Sequence, residues 1–220
     1  MNLLQNIDLY CERLSPGLWA EPANALSNLA FFAAALWLWR RAEIRAARAL
    51  QVLVALIALI GVCSGAFHLA GQIWAEILDV GSITLFILCF VVFFLREVFG
   101  LRWWLAALGA PGFILFGRLV VLPFAPGSFN GSVDYFPALF GLALMTLVLL
   151  QRRDRAATMF AAAAGTFLLS LSLRSEDLAW CEAIPLGTHW LWHCLNAVTL
   201  TLATLGLAQV AWRRIKLSGP

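Results

Sequence analysis

Long apolar runs separated by short polar segments make up most of the chain. Seven of these runs approach the roughly 20 residues that a helix needs to cross the hydrocarbon core of a bilayer. We predict a helix for each run, and the runs cover residues 22–39, 50–70, 78–95, 103–123, 135–150, 156–173 and 188–212. The pattern therefore predicts an all-α membrane protein, a seven-transmembrane helix bundle.

No polar segment is long enough to separate the chain into two domains. We expect a single domain over residues 1–220, in which residues 1–23 form a polar segment ahead of the first helix. Interruptions fall mainly in the fourth helix, where Gly109, Pro111, Gly112 and Arg118 predict a kink.

Composition supports the bilayer as the surrounding solvent. The 220 residues are 62% hydrophobic and only 12% charged, which is too apolar for a water-soluble globule of this size. A net charge of +3 is better explained by membrane orientation than by nucleic acid, for which the chain carries no signature.

The basic residues predict how the bundle is oriented. Cytoplasmic loops are enriched in Lys and Arg. Twelve of the fifteen basic residues lie in alternate loops or after the last helix: Arg40, Arg41, Arg45, Arg48, Arg96, Arg102, Arg152, Arg153, Arg155, Arg213, Arg214 and Lys216. We therefore expect the N-terminus outside and the C-terminus in the cytoplasm, as seven spans require.

This topology places the only three histidines at the non-cytoplasmic end of the bundle. His68 ends the second helix, and His189 and His193 lie four residues apart at the start of the seventh. On a helix that spacing puts two imidazoles on one face. Three imidazoles with an open fourth position are a recurrent catalytic zinc site, suited to hydrolysis. Each histidine could instead be a hydrogen-bonded packing residue.

Two further polar residues share the level of the histidines. Ser64 lies one helical turn before His68, and Asp79 opens the third predicted helix. Both could reach a metal-bound water, Ser64 from the same helical face as His68, and an ionisable residue such as Asp79 at the edge of a span usually marks a working site; we assign both to catalysis. The alternatives are that Ser64 bonds its own backbone and that Asp79 is only a helix N-cap.

The N-terminal segment adds weaker signals. Glu12 and Glu21 could bind a hard cation such as calcium, cap the first helix, or be ordinary interfacial acids. Cys11 and Cys181 both fall in outer segments, where an oxidising compartment would allow a disulfide.

Three blocks of the sequence resemble the alkaline ceramidases, which belong to a wider superfamily of seven-helix membrane hydrolases. The first block is the segment 10–28, with a Cys-Glu pair, a later Ala-Glu and an Asn-x-x-Ser-Asn pattern. The second is Ser64-Gly-Ala-Phe-His68, followed eleven residues later by Asp79. The third is His189-Trp-Leu-Trp-His193. The blocks occur in the family's order along the whole chain.

The resemblance implies a zinc amidase that acts on ceramide or another N-acyl lipid. His68, His189 and His193 would bind zinc, Asp79 would orient or deprotonate water, and Ser64 would stabilise the oxyanion.

The resemblance also implies the disulfide between Cys11 and Cys181, and a calcium site formed in part by Glu12 and Glu21. The family usually has an acid and a tryptophan just before the cysteine. Here Leu9 and Tyr10 stand there, and Asp8 is the nearest acid that could replace the missing one.

Other functions fit parts of the pattern. The adiponectin receptor-like branch of the superfamily uses similar Ser-His and His-His spacings, although the N-terminal block argues against it. A receptor or structural protein would use zinc only to clamp helices, with a closed coordination shell. A transporter would need charges across the whole bilayer. Fourteen of the fifteen basic residues are arginine, which together with much alanine and leucine indicates a GC-rich bacterial genome and an inner-membrane location.

Overall fold

The computed structural model describes residues 2–217, apart from the side chain of Leu217. Met1 and residues 218–220, at the two ends of the predicted domain, lie outside the described residues. Within 2–217 the chain is helical, with no β-strand and 74% helix. The α-helices are α1 (Pro22–Ser27), α2 (Leu29–Trp39), α3 (Ala42–Arg45), α4 (Arg48–Ala70), α5 (Ile73–Phe99), α6 (Trp103–Ala107), α7 (Gly109–Val121), α8 (Phe136–Gln151), α9 (Ala157–Ser175) and α10 (His189–Leu217).

Within residues 2–217, six helical segments are long and apolar enough to cross a membrane, which makes the chain a multi-pass integral membrane protein. These segments are Arg48–Ala70, Ile73–Phe99, Trp103–Val121, Ser132–Gln151, Ala157–Ser175 and His189–Lys216. The first predicted helix, over residues 22–39, is divided by Asn28 into α1 and α2. Neither part alone has the length of a span.

The fourth predicted helix is interrupted where the sequence indicates. Leu108 separates α6 from α7, directly before Gly109. A side chain at Gly109 would collide with Leu95 on α5, so the glycine allows close packing there. All described residues of α7 are at least partly exposed, as expected for a helix at the lipid-facing edge of a bundle.

The start of α5 differs from the prediction by five residues. The N-terminal segment runs beside it: the amide of Ile73 donates to the carbonyl of Gln5 (3.2 Å), and that of Trp74 donates to Leu3 (3.1 Å). These bonds satisfy amides that a helix start leaves unpaired, so α5 begins within a polar stretch. Asp79 consequently lies in its second turn and the N-cap is Gln72; the alternative that Asp79 caps this helix is wrong.

The central helix of the bundle is α10, which packs against α9, α2, α5 and α4. Large apolar side chains fill the space between these helices, including the fully buried Leu38, Ile57, Phe160 and Leu207. On α4, Gly61 lies so close to the α1–α2 junction that a Cβ would stand 3.3 Å from the carbonyl oxygen of Asn28. This contact holds the histidine-bearing end of α4 beside α1.

Candidate metal centre

Three histidines meet at one end of the bundle, as the sequence predicts. His68 lies in the last turn of α4, and His189 and His193 lie in the first turns of α10. One ring nitrogen of each falls within 4.8 Å of those of the other two. Each residue is at most 2% exposed, so the cluster is removed from bulk water.

Glu21 orients the first of these imidazoles. Its Oε2 accepts a hydrogen bond from Nδ1 of His68 at 2.5 Å. Burial opposes the charged form of Glu21, but the hydrogen bond and electrostatic attraction from His68, with hydrogen bonds from Asn24 and Arg13, outweigh it and lower the pKa of this carboxyl. A carboxylate can only accept, so Nδ1 of His68 carries a proton, and in the neutral imidazole Nε2 would be free to bind a metal.

Ser27 orients the imidazole of His193 in the same way. The Ser27 hydroxyl donates its single hydrogen to the carbonyl oxygen of Asn24 (2.8 Å). Its oxygen can then accept from Nδ1 of His193, 2.7 Å away. With its proton on Nδ1, the second imidazole, like the first, would have Nε2 free to bind a metal.

The Nε2 atoms of the two imidazoles face each other. Nε2 of His68 and Nε2 of His193 are 3.1 Å apart, close enough for a proton shared between them or for one cation held by two neutral rings. Two nitrogens bound tetrahedrally to one zinc ion are about 3.4 Å apart. A carboxylate behind a ligating imidazole is also the usual support of a zinc-bound histidine.

Unpaired polar atoms around the cluster fit a metal as well. Among the described residues, buried Nδ1 of His189 and Oδ1 of Asp79 have no hydrogen-bond partner. Such groups are costly unless something satisfies them. No other His, Cys, Asp or Glu within residues 2–217 belongs to this cluster, so the protein offers three ligands of these types. The donor set therefore fits zinc.

The structure also brings Ser64 and Asp79 to the cluster. The buried Ser64 hydroxyl lies 3.5 Å from Nε2 of His193. Asp79, on the facing helix α5, interacts with Ser64 and with His68. A proton acceptor and a hydroxyl donor thus stand beside the nitrogens that would hold a metal.

Asp177 holds the start of α10 in place. Its Oδ1 accepts from the backbone amides of Thr188 (2.6 Å) and His189 (2.9 Å), and its Oδ2 accepts from the amide of Cys11 (3.0 Å). A carboxylate at a helix N-terminus is stabilised by the unpaired amides and the dipole there. Cys11 is disulfide-bonded to Cys181, with a Cα–Cα distance of 5.2 Å, as predicted. Together these bonds fix the N-terminal segment against α10.

Tyr10 and Arg174 cover the cluster on one side. The Tyr10 ring stacks on His189 with 3.6 Å between ring centroids. Burial raises the pKa of Tyr10 to about 12, so its hydroxyl stays neutral. The buried Arg174 guanidinium donates to the Tyr10 hydroxyl (3.5 Å) and to the carbonyl oxygen of Asn130 (2.6 Å). Arg174 thereby connects Tyr10, which covers His189, to the segment that precedes α8.

The acids proposed for calcium do not form a calcium site. Both oxygens of Glu12 accept backbone amides at the start of α1, from Ala23 (2.6 Å) and Asn24 (2.8 Å). Both oxygens of Glu21 are likewise bonded to protein groups, while Asp8 is exposed. Calcium takes six to eight oxygen ligands, so this donor set does not fit it. Glu12 instead has the capping role that the sequence left open.

An apolar cavity leads away from the cluster into the bundle. Ser64 and His193 belong to its lining, together with the polar side chains of Asn196 and Thr199. Apolar side chains from seven helices make up most of the rest, among them Phe31, Phe86, Phe113, Leu142, Met145 and Ala203. The lining is therefore mainly apolar.

Sequence reasoning missed several residues that shape this site. Arg13 and Arg174 carried a signal, because they are two of the three basic residues outside the predicted cytoplasmic loops. Ser27 belonged to the Asn-x-x-Ser-Asn pattern without an assigned role. Asp177 carried no signal, since its partners lie up to 166 residues away.

Comparison of the chain with protein-family models and with curated proteins gave no match.

Proposed function

We propose that this protein is a zinc-dependent intramembrane hydrolase of lipid amides, ceramidase-like, that releases a fatty acid and a sphingoid-type or other long-chain amine. The observation that carries the proposal is the buried cluster of His68, His189 and His193, in which Nε2 of His68 lies 3.1 Å from Nε2 of His193. The resemblance of the three sequence blocks to the alkaline ceramidases supports it.

The proposal includes a topology. The segment 22–39, broken only at Asn28, would serve as the first of seven spans. An odd number of spans would put the two termini on opposite sides, and the basic residues favour a bacterial inner membrane with the N-terminus and the histidine cluster on the non-cytoplasmic side. The distribution of basic residues supports this orientation.

The number of ligands favours catalysis over a purely structural metal. Structural zinc sites are closed by four protein ligands, whereas catalytic sites use three and keep one position open. Among the described residues the cluster contains three histidines and no further His, Cys, Asp or Glu. A receptor or structural protein that only clamps α4 to α10 would be expected to supply a fourth.

A metal held by the three histidines would supply Lewis-acid chemistry, polarising the amide carbonyl and making water acidic enough to lose a proton near neutral pH. The chain's own groups complete the reaction. Asp79 would accept the proton as water adds to the carbonyl carbon, and would return it to the nitrogen as the C–N bond breaks. Ser64 would donate a hydrogen bond to the carbonyl oxygen as negative charge develops there.

The cavity supports a lipid as the substrate. Ser64 and His193 belong to its lining, and most of the other lining side chains are apolar. An acyl chain could occupy this space while its amide linkage reaches the cluster. Transfer of each methylene from water to such surroundings is worth about 0.8 kcal/mol.

Fatty-acid release from N-acyl lipids tests the proposal. Detergent-purified protein would be incubated with ceramides, N-acylethanolamines and N-acyl amino acids, before and after removal and return of zinc. We expect release from at least one class, lost on zinc removal and regained on return. Thr84→Ala, at an exposed position of α5, is a control that should keep full activity. Bound zinc without release from any class would contradict a hydrolase and favour the receptor or structural function.

A further inference from the structure

A positive charge is buried inside the acidic N-terminal segment. Arg13 is 4% exposed and Glu21 is 1% exposed. The Nε of Arg13 donates to Oε1 of Glu21, and its Nη2 donates to the carbonyl oxygen of His68 at 3.2 Å. The guanidinium therefore contacts both the carboxylate that orients His68 and the backbone of His68 itself.

The backbone at Gly71 leaves space for the Arg13 side chain. Gly71, directly after α4, adopts a left-handed conformation with φ +59°. A Cβ at that position would overlap the guanidinium of Arg13. Glycine is thus required twice, for its φ and for the close approach of Arg13.

Burial of the ion pair makes each partner depend on the other. Removing one member of a buried pair leaves an uncompensated charge and destabilises far more than the pair contributes. Without Arg13, Glu21 would keep its bonds from His68 and Asn24 but lose its only arginine partner among the described residues. Its carboxylate would then be less strongly held in the position that orients His68.

The same guanidinium pairs with Glu21, one of the two acids that the family resemblance implies for calcium. Glu12 uses both oxygens on backbone amides, and Glu21 shares its oxygens among Arg13, His68 and Asn24. A cation entering this segment would have to displace Arg13 and open the cap of α1. We propose that Arg13 is a positioning residue whose guanidinium holds Glu21 in place for His68, and that this internal cation makes the metal cluster independent of calcium.

This inference rests on the proposed metal site, and its test reads metal binding instead of hydrolysis. The variants are Arg13→Met, Arg13→Lys and, as a matched control, Arg118→Met at an exposed position of α7. Two quantities are measured on purified protein: the rate at which a colorimetric chelator removes zinc, and the thermal midpoint in calcium-depleted and in millimolar-calcium buffer. Binding of radioactive calcium to wild type is measured alongside.

We expect Arg13→Met to lose zinc at least about tenfold faster than wild type, the effect of disturbing the groups behind a ligand. Arg13→Lys should fall closer to wild type because it keeps the charge, and Arg118→Met should match wild type. Calcium should neither bind to wild type nor raise its thermal midpoint.

Zinc retention by Arg13→Met equal to that of wild type would overturn the positioning role. Stoichiometric calcium binding by wild type would overturn calcium independence. If Arg13→Met does not fold, the calcium measurement on wild type alone decides the proposal. Neither result depends on whether the protein hydrolyses lipids. A protein that releases no fatty acid from any tested lipid could still show the predicted zinc loss in Arg13→Met.

Discussion

Glu21 and His68 are 47 residues apart in the chain and 2.5 Å apart in the structure, joined through Oε2 and Nδ1. This bond requires a proton on Nδ1, the nitrogen that faces away from the cluster. In the neutral imidazole the other nitrogen, which faces His193, would be free to bind a metal. The link between the N-terminal segment and α4 is therefore part of the metal centre.

Glu21→Gln tests this link. Glutamine keeps the size of the side chain but removes the charge, so the hydrogen bond from His68 should weaken and its imidazole should become a poorer ligand. We expect zinc affinity to fall about 10- to 100-fold, measured by competition with a chelator of known affinity. Wild-type affinity in Glu21→Gln would show that the carboxylate does not support the metal.

Asp79 and Ser64 should affect turnover without affecting zinc content. Asp79→Asn removes the proton acceptor and should lower the rate of hydrolysis by about 10²- to 10⁴-fold. Ser64→Ala removes a donor to the oxyanion and should lower it by about 10²-fold. Both rates are compared with Thr84→Ala at equal zinc occupancy. An Asp79→Asn enzyme that keeps the wild-type rate would remove Asp79 from the mechanism.

Asp177 should matter for stability. Asp177→Ala leaves the buried amides of Thr188, His189 and Cys11 without their acceptor. An unsatisfied buried donor costs about 1–3 kcal/mol, so we expect a clearly lower thermal midpoint, followed by tryptophan fluorescence in detergent. Glu182→Gln, at an exposed position nearby, is the control. Equal midpoints for Asp177→Ala and wild type would mean that other contacts hold the start of α10.

The cavity should set the preferred acyl length. Ala203 lines it ten residues after His193 on α10, about 15 Å along the helix axis. Ala203→Phe should shorten the space, so that palmitoyl amides lose at least about tenfold more activity than octanoyl amides. Zinc content serves as the check on folding. A uniform loss for both chain lengths would indicate that the acyl chain binds elsewhere.

Topology can be measured with fusions at the C-terminus. With seven spans and the N-terminus outside, a C-terminal fluorescent protein should fluoresce in bacterial cells, and a C-terminal alkaline phosphatase should be inactive. An active phosphatase fusion would place the C-terminus outside the cytoplasm. The segment 22–39 would then not count as a span, or the whole orientation would be reversed.

The parts of this site that were predictable follow from local periodicity. The i, i+4 spacing of His189 and His193 puts two ligands on one helical face, and alternation of the spans brings His68 to the same level. The start of α5 was not predictable in this way. Apolar runs mark where a helix is surrounded by lipid, whereas α5 begins earlier, in a polar stretch whose amides bond to the N-terminal segment.

The residues that hold the histidines in position, such as Arg13 and Asp177, were also not predictable from local periodicity. Arg13 reaches the backbone of His68 across 55 residues, and Asp177 reaches Cys11 across 166. Such contacts depend on how the segments pack, which no local pattern encodes. The acids Glu12 and Glu21 are an example. Their positions in the sequence suggest a cation site, but Glu12 caps α1 and Glu21 bonds to His68 of the metal centre.

The central claim is that His68, His189 and His193 together hold one metal ion. Its most direct test is elemental mass spectrometry of the detergent-purified wild type and of the His68→Ala, His189→Ala and His193→Ala variants. We predict about one zinc per wild-type chain, as three imidazoles in a tetrahedral site should bind, and almost none in any variant. Folded wild-type protein without a bound transition metal, or His→Ala variants that keep full zinc, would contradict the account.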